Sequence, residues 1–449
     1  MKTKRKKKDN KFDITYENIN MFSRKFNKTK KNKVFKNMNT KGNFKNIVLK
    51  SEYIQNKKIF FKNKIDVETL PTDQEKSGRC WIFAFLNIIR IDMIKKYNLT
   101  NFELSQTYLF FYDKLERANN FLNYAIKNIK VSLNNDKLNY IMDNITHDGG
   151  TFNIVANLIE KYGIVPKNNM DDLFHSKNSD DLNTFFSNFL RKSFYKIKHE
   201  KKRDLYKLKN EILSDCYKIL VIFLGEPPKK ITWEYYTEDK TTNKKTYNVV
   251  ENITPNEFYE KYICYKLKDK IALINYTCKP YYKKYKSELI DVYGKKDNLY
   301  INVPIEEIIN GIKLSIDNKE AVWIGIDTDM YKSKEEGIYD RNAFNYKDIF
   351  GFHNDMDKCD SLLYGRTDIN HAVIVKGYNL YEQNKNMNGF LIEDSHGKNN
   401  GFNGDYYMNI DWFKEYGYMA VLDKKYISEK VLSVLNQKTI ITLPYYDVI

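Results

Sequence analysis

Residues 80–89 are apolar except for Asn87, and they follow directly on a polar, turn-rich segment at residues 70–79. A helix with apolar side chains all round has to be buried in a core. The chain has 449 residues, which is enough to build such a core. The apolar run is far shorter than the roughly 20 residues that cross a bilayer. We therefore predict a large folded protein built around a buried helix that begins at Cys80, with no membrane partner.

Helical spacing dominates the chain up to about residue 320, and strand-like patterns dominate after it. Ser105 is a suitable N-cap for one helix, and the periodic stretch at residues 152–162 ends at Gly163. Five short β-branched or aromatic runs are predicted as strands, at residues 321–326, 371–375, 389–392, 406–410 and 418–422. Helices first and an antiparallel sheet last predict an α+β fold.

The net charge of +17 is concentrated at the N-terminus. Residues 1–50 carry 17 Lys or Arg against 3 acidic residues, whereas the rest of the chain carries 58 against 55. We expect residues 1–50 to form a flexible basic extension, with the like-charge block at residues 2–8 solvated. Two interpretations stay open: a general bias toward Lys and Asn, or a tail that binds nucleic acid non-specifically through screened charge attraction.

The five cysteines indicate neither a disulfide framework nor a metal site. Their number is odd, and no CxxC pair or Cys/His cluster has zinc-like spacing. A reducing compartment is the simplest environment for such a chain. The N-terminus lacks the apolar region of a secretory signal. We expect a cytoplasmic protein that needs no metal and no cofactor.

Four residues suggest nucleophilic chemistry. Cys80 lies where the buried helix should begin, and the positive end of the helix dipole favours a thiolate. Gln74, six residues earlier, would add an amide donor to the backbone N–H of Cys80, which makes two donors for an oxyanion. His371 opens one predicted strand and Asp394 closes the next, so a hairpin would bring imidazole and carboxylate together. A lone cysteine that opens an apolar helix is more often a small core residue, so Cys80 by itself does not establish catalysis.

The segment at residues 74–83, Gln-Glu-Lys-Ser-Gly-Arg-Cys-Trp-Ile-Phe, resembles the active-site segment of the papain superfamily. It is most similar to the bleomycin hydrolase and aminopeptidase C branch, in which Gly-Arg-Cys-Trp replaces the Gly-Ser-Cys-Trp of papain itself. Similar segments follow in order, at residues 102–111, 148–150, 161–167, 225–235, 320–323, 371–372 and 411–416. The resemblance implies a papain-like core with a helical lobe at 51–166, a large, mainly helical insertion at 167–320 and an antiparallel β lobe at 321–449.

The resemblance also implies a function and a set of site residues. The function would be that of a cysteine-type aminopeptidase, which releases N-terminal residues from peptides through a thioester acyl-enzyme. Homohexamers are typical of this branch, and some members bind nucleic acid. Its site residues would be Cys80 as nucleophile, His371 as general base and then acid, Gln74 as oxyanion donor, Asp394 as the orienting group, and Gly149, Gly150, Asn370 and Ile449 as substrate contacts. In this branch the terminal carboxylate captures the substrate's α-ammonium group.

The sequence departs from the branch at two places within this pattern. The branch has Asn-Ser-Trp-Gly where this chain has Asp394-Ser395-His396-Gly397. An ionised Asp394 still accepts the imidazole N–H and raises the pKa of His371, whereas His396, expected to be neutral, shields this bond less than Trp. The C-terminal Leu-Pro-Tyr-Tyr-Asp segment ends about four residues earlier than in the branch, which predicts a more open cleft and some endopeptidase activity.

Two other classes of protein stay open. One is another Cys-His-Asp acyl-transfer enzyme, such as a transglutaminase, in which Asp394 would be native. The Gln six residues before Cys80 argues against that class. The other is a nucleic-acid-binding or scaffolding homologue with a lapsed site, which residues 1–50 favour and the intact Cys80 and His371 disfavour.

Overall fold

The structure is a computed structural model that describes residues 12–56, 60–201, 204–239, 241–289, 292–295, 297–352, 355–383 and 385–447. The basic block at residues 2–8 and the terminal Ile449 lie outside these ranges. Two compact units are present, one of residues 1–57 and 341–355 and the other of residues 58–340 and 356–449. The helices of the described residues are too short or too polar to cross a bilayer.

Helices occur throughout the described part of the chain. In order, they are α1 (Tyr16–Asn27), α2 (Lys30–Met38), α3 (Phe44–Ile47), α4 (Ser51–Gln55), α5 (Cys80–Tyr97), α6 (Gln106–Lys127), α7 (Asp136–Asp143), α8 (Phe152–Tyr162), α9 (Phe174–Lys177), α10 (Asp180–His199), α11 (Leu205–Leu224), α12 (Pro255–Tyr262), α13 (Ile305–Asp317), α14 (Tyr346–Phe350), α15 (Lys358–Leu363), α16 (Ile410–Tyr416) and α17 (Glu429–Ser433).

The strands follow mainly after residue 230. They are β1 (Asn63–Lys64), β2 (Ile231–Glu238), β3 (Lys245–Ile253), β4 (Lys270–Ile274), β5 (Lys283–Ser287), β6 (Leu299–Asn302), β7 (Val322–Ile326), β8 (Lys332–Ser333), β9 (Ile338–Tyr339), β10 (His371–Leu380), β11 (Met387–Glu393), β12 (Asp405–Asn409), β13 (Gly417–Asp423) and β14 (Ile440–Leu443). All except the β2–β3 hairpin belong to one sheet, in the order β14-β5-β6-β4-β13-β7-β10-β11-β12-β9-β8, with β1 beside β10.

The predicted helices and strands are present with nearly the expected bounds. Ser105 accepts a hydrogen bond from the backbone N–H of Tyr108 and so caps α6, while α8 ends at Gly163. All five predicted strands form, as β7, β10, β11, β12 and β13, and each pair of neighbours among them in the sheet is antiparallel. Three outer pairs, β14–β5, β4–β6 and β12–β9, are parallel, which the sequence pattern did not indicate. Helices and a large sheet make the fold α+β, as predicted.

Helix α5 occupies the core of the larger unit. Its residues are buried from Cys80 to Ile91, because apolar side chains cover its whole circumference. The helix packs on β10 and on α6 and α8. This packing brings the start of α5 beside the start of β10, where His371 lies.

Residues 167–320 contain strands as well as helices. The stretch begins with α9, α10 and α11, continues with the β2–β3 hairpin, and contributes β4, β5 and β6 to the large sheet. Its helical character is therefore confined to parts of its length. The domain boundaries at 166 and 320 stay a proposal.

The smaller unit differs from the expected flexible extension in its described residues. Helix α1 starts with a capping box, in which the Thr15 side chain accepts from the backbone N–H of Asn18 and the Asn18 side chain accepts from the backbone N–H of Thr15. The Phe44 ring lies 5.8 Å from the Phe350 ring, centroid to centroid. Local capping and aromatic contacts thus order helices that the surrounding lysines obscured in the sequence.

Candidate active site

Cys80 is the first residue of α5 and lines a cavity of about 610 Å³. Only 8% of its surface is exposed. His371, Gly149 and Gly150 line the same cavity, and so does Asn370. The structure therefore brings together residues that are up to 291 positions apart in the chain.

The Arg79 side chain holds the segment that leads into Cys80. The guanidinium is fully buried, lies 2.7 Å from a carboxylate oxygen of Asp172, and donates to the hydroxyls of Ser77 and Thr107. It also lies over the Phe83 ring, 5.1 Å from the centroid. A buried cation is stable only with such partners. Arg79 thus fixes the backbone on the N-terminal side of Cys80.

Asp148 fixes the same segment from the other side. Its carboxylate accepts from the backbone N–H of Gly78 at 3.0 Å and from Nζ of Lys114 at 2.8 Å, and it also accepts from Ser179 and Asn183. A Cβ on Gly78 would lie 2.6 Å from the Cβ of Asp148. The close approach explains why glycine precedes the Arg-Cys pair.

The imidazole of His371 lies between the thiol and a carboxylate. The register that pairs Ile374 with Glu393 brings Asp394, one residue beyond β11, to His371 at the start of β10. Nε2 of His371 lies 2.7 Å from Oδ1 of Asp394, and Cys80 is close enough to the ring to help raise the pKa of His371. Because Nε2 faces Asp394, Nδ1 is the nitrogen left for the thiol.

Electrostatics favour the charged form of this imidazole. Burial by itself lowers the pKa of His371, but the charge and hydrogen bond of Asp394, aided by Cys80, raise it to about 9. Burial likewise opposes ionisation of Asp394, yet His371 and Lys332 hold the pKa of Asp394 well below its usual range. At neutral pH the pair is therefore an imidazolium beside a carboxylate.

Gln74 is fixed by hydrogen bonds at both ends of its amide. Its Nε2 donates to the backbone carbonyl of Ser77 at 2.6 Å, and its Oε1 accepts from the hydroxyl of Ser395 at 2.7 Å. These bonds define which end of the amide is nitrogen. One amide hydrogen is used by Ser77, and the second is the one that an oxyanion role requires. That role stays a prediction.

His396 stacks on the imidazole of His371, at the position where the branch has Trp. The rings of His396 and His371 are nearly parallel, at 4°, with centroids 5.2 Å apart. Burial lowers the pKa of His396 to about 4, although Asp394 opposes the shift. The ring is neutral at pH 7, in line with our expectation. Its Nε2 lies 3.9 Å from Oδ1 of Asp394, so an uncharged ring lies beside the His371–Asp394 hydrogen bond.

The predicted substrate contacts differ in how the fold uses them. A Cβ on Gly150 would lie 2.7 Å from the Trp81 ring, so glycine is sterically required there, whereas one on Gly149 would make an ordinary contact. The Asn370 side chain donates to Asp327 and accepts from Thr328, so it braces its own turn at the cavity wall. Ile449 lies outside the described residues. The binding roles of these residues stay predictions.

Lys332 and Tyr339 were not anticipated from the sequence. Nζ of Lys332 lies 3.4 Å from Oδ2 of Asp394, and the Tyr339 hydroxyl donates to the same oxygen at 3.3 Å. Nothing in the sequence distinguishes Lys332 among 75 basic residues. Only the structure shows that the carboxylate of Asp394 has partners on both oxygens.

His371, Asp394 and His396 are also ligand types that bind metal ions, and one ligand atom of each lies within 4.8 Å of the others. The arrangement suits hydrogen bonding better than metal binding. Oδ1 of Asp394 already accepts from His371, and the Lys332 ammonium lies against Oδ2. A further cation would be repelled by Lys332. His371 and Asp394 are therefore better explained as a hydrogen-bonded pair, on which His396 stacks.

We expect Asp394→Asn to lower the alkaline limb of the pH dependence of kcat/KM. The carboxylate charge raises the pKa of His371 to about 9, so a neutral amide removes most of this stabilisation of the imidazolium. The limb should move down by at least about 1 pH unit. Rates measured from pH 5 to 10 on parent and variant check this. An unchanged limb would show that another group controls it.

A buried cysteine at the start of a core helix, paired with an imidazole and a carboxylate from an adjacent sheet, defines a papain-like thiol peptidase. The chain belongs to the Peptidase C1-like family, whose sequence model matches residues 13–449. It is 30% identical to bleomycin hydrolase of Mus musculus, over 97% of both chains. It is 33% identical to aminopeptidase E of Lactobacillus helveticus, over 97% of this chain and 99% of that one.

A solved structure agrees with the sequence comparisons. PepW from Lactobacillus rhamnosis matches with a TM-score of 0.92 and 27% identity, over 98% of this chain and 99% of that one. The likenesses confirm the predicted resemblance and the papain-like α+β fold. The chain is a cysteine peptidase of the bleomycin hydrolase and aminopeptidase C branch.

Proposed function

We propose that this protein is a cysteine aminopeptidase in which Cys80 is the nucleophile, His371 the proton carrier and Asp394 its orienting group. The observation that carries the proposal is the His371 imidazole, which lies 2.7 Å from Asp394 and lines the same cavity as Cys80. The two groups are brought together at the wall of a cavity large enough for a peptide end.

The proposed reaction has two halves. The Cys80 thiolate attacks the carbonyl carbon of the first peptide bond, and the backbone N–H of Cys80 with the Gln74 amide stabilises the oxyanion. The C–N bond then breaks while the His371 imidazolium gives its proton to the leaving amine. In the second half, neutral His371 takes a proton from a water molecule that attacks the thioester. The amino acid leaves and the thiolate–imidazolium pair returns.

The C-terminal segment supports action at peptide ends. Tyr445, Tyr446 and Asp447 line the cavity that holds Cys80. Nζ of Lys279 lies 3.0 Å from the Asp447 carboxylate, and Glu288 accepts from the backbone N–H of Tyr445. The C-terminal segment is thus held as part of the cavity wall. In the proposed function it limits how far a substrate extends beyond its N-terminal residue, with Ile449 as the proposed anchor for the α-ammonium.

A free α-ammonium group should therefore favour cleavage. We expect N-acetylation of an aminoacyl coumarin substrate to lower kcat/KM about 10-fold to 100-fold, since a charge-assisted hydrogen bond contributes about 1.5–3 kcal/mol. The two substrates are compared on the parent protein, with Cys80→Ala as the blank. Equal rates for both would contradict ammonium capture while leaving the cysteine peptidase chemistry intact.

Three finer expectations are proposals that rest on the sequence and its resemblance. They are a homohexameric assembly, a cytoplasmic location and non-specific binding of nucleic acid through the basic residues 1–50. Light scattering tests the first. Titration of a fluorescent oligonucleotide at two salt concentrations, with a variant lacking residues 1–11, tests the third, because such binding weakens steeply with salt.

A further inference from the structure

Lys332 is a buried cation in direct contact with Asp394, the residue that hydrogen-bonds to His371. It is only 5% exposed, and its Nζ lies 3.4 Å from Oδ2 of Asp394, the oxygen that does not face His371. Its ammonium lies over the Tyr339 ring, 4.8 Å from the centroid, and within 5.7 Å of the Tyr406 centroid. Two aromatic faces and a carboxylate thus hold the Lys332 ammonium against the oxygen of Asp394 that does not face His371.

The charges of this group balance only when Lys332 is included. In the ion pair that the proposed function requires, a thiolate at Cys80, an imidazolium at His371 and a carboxylate at Asp394 sum to one negative charge in a buried site. An unpaired buried charge is costly, and the ammonium of Lys332 removes the excess. With Lys332, the set carries the same net charge as a Cys-His pair oriented by a neutral amide.

The other groups that face Asp394 do not replace this charge. The backbone N–H of Ser395 donates to Oδ1 at 2.7 Å, and the Tyr339 hydroxyl donates to Oδ2. Burial raises the pKa of Tyr339 and Tyr406 far above neutrality, so both are uncharged. His396 is neutral at pH 7, and Lys334 is exposed at the edge of the site.

We propose that Lys332 is a positioning residue for the reaction, which holds Oδ2 of Asp394 and neutralises its charge so that Oδ1 orients His371 without over-stabilising the imidazolium. The inference rests on the proposed function, in which His371 must give up its proton to the leaving amine. It explains how an aspartate serves where the branch has an asparagine. Aspartate and lysine together replace one neutral amide.

Removing the charge of Lys332 should shift the titration of the active site. In Lys332→Met, Asp394 attracts the imidazolium without compensation, so the alkaline limb of kcat/KM should rise by about 1 pH unit and kcat should fall at least about 10-fold. In Lys332→Arg, which keeps the charge, the alkaline limb of kcat/KM should stay near that of the parent. Lys334→Met is the matched control at an exposed lysine two residues away, and its limb should not move.

A double variant separates positioning from a structural role. Asp394→Asn combined with Lys332→Met recreates a neutral amide with no buried lysine, so its kcat should exceed that of Lys332→Met at least about 10-fold. A purely structural role predicts additive losses, which would overturn the proposal. If the single variant Lys332→Met does not fold, the alkaline limb of kcat/KM is compared between the single variant Asp394→Asn and the double variant. Loss of the lysine should raise that limb as well, and an unmoved limb overturns the proposal.

Alkylation of Cys80 by iodoacetamide provides a readout that needs no peptidase activity. Its rate against pH, followed by mass spectrometry of the peptide that contains Cys80, reports the thiolate and the neighbouring imidazole. A shift of this profile in Lys332→Met supports the proposal even if no peptide is hydrolysed, in which case the proposed function alone fails. An identical profile in parent and Lys332→Met overturns the role of Lys332.

Discussion

Replacing Cys80 by Ala should lower kcat/KM for an aminoacyl coumarin by at least about 10⁴-fold, because the loss of a nucleophile removes the acyl-enzyme route altogether. The fold should survive, since Cys80 is the first residue of α5 and alanine is a good helix former. Steady-state rates on the purified variant, with circular dichroism to verify folding, check this prediction.

Two other cysteines make matched controls for Cys80. Cys264 is exposed and Cys216 is fully buried in α11. We expect Cys264→Ala to keep parent activity, and Cys216→Ala to reduce thermal stability with kcat nearly unchanged. Turnover by Cys80→Ala above that of a preparation treated with iodoacetamide would disprove the assignment of the nucleophile.

Replacing Asp148 by Ala should destabilise the protein by about 3–5 kcal/mol, the usual cost of leaving one member of a buried ion pair without its partner. The ammonium of Lys114 is fully buried and lies 2.8 Å from Asp148. The substitution also removes an acceptor from the backbone N–H of Gly78, two residues before Cys80. Urea unfolding at pH 7 measures the loss, and kcat/KM should fall as well.

The effect of Asp148 should depend on pH in a defined direction. Burial disfavours ionisation of this carboxyl, but Lys114 and its hydrogen bonds lower the pKa of Asp148 in the folded protein. The stabilisation that ionised Asp148 gives the folded protein is therefore complete above the pKa of an unfolded Asp, about 4. It is lost as the pH falls from that value through the lower pKa of the folded state. Parent and Asp148→Ala should converge in unfolding free energy at low pH.

A nearby exposed acid is the control for Asp148. The side chain of Asp171 is 73% exposed, and its carboxylate comes no closer than 3.9 Å to the ammonium of Lys167. Asp171→Ala should change the unfolding free energy by less than about 0.5 kcal/mol. A loss for Asp148→Ala as small as that of the control would contradict the structural role of the ion pair.

The central elements of the fold were predictable because their patterns are local. The apolar run that forms α5, the Ser105 cap and the five short strands are each encoded by residues close together in the chain. The parallel pairs β4–β6 and β14–β5 were not predictable in this way. Which strands become neighbours depends on how the whole sheet assembles, and no local signal reports it.

The same distinction applies to the site. Cys80, His371 and Asp394 could be expected together because each lies at the end of a helix or strand that the sequence predicts. Cys80 begins α5, His371 begins β10, and Asp394 follows the last residue of β11. Lys332 and Tyr339 could not be expected, since they contact Asp394 from the short strands β8 and β9, some sixty residues earlier in the chain. A lysine in a lysine-rich chain carries no signal until its burial is known. The N-terminal helices were hidden by the same composition.

Asp148 joins the backbone of Gly78, two residues before Cys80, to Ser179 and Asn183 at the start of α10. Arg79 likewise reaches Asp172, ahead of α9. A trimmed catalyst made by excising everything between the two lobes would sever both attachments. Miniaturisation of this protein should accordingly retain residues 167–199 and shorten the chain instead at the exposed residues 241–247, which leaves the buried Trp233 of β2 in place.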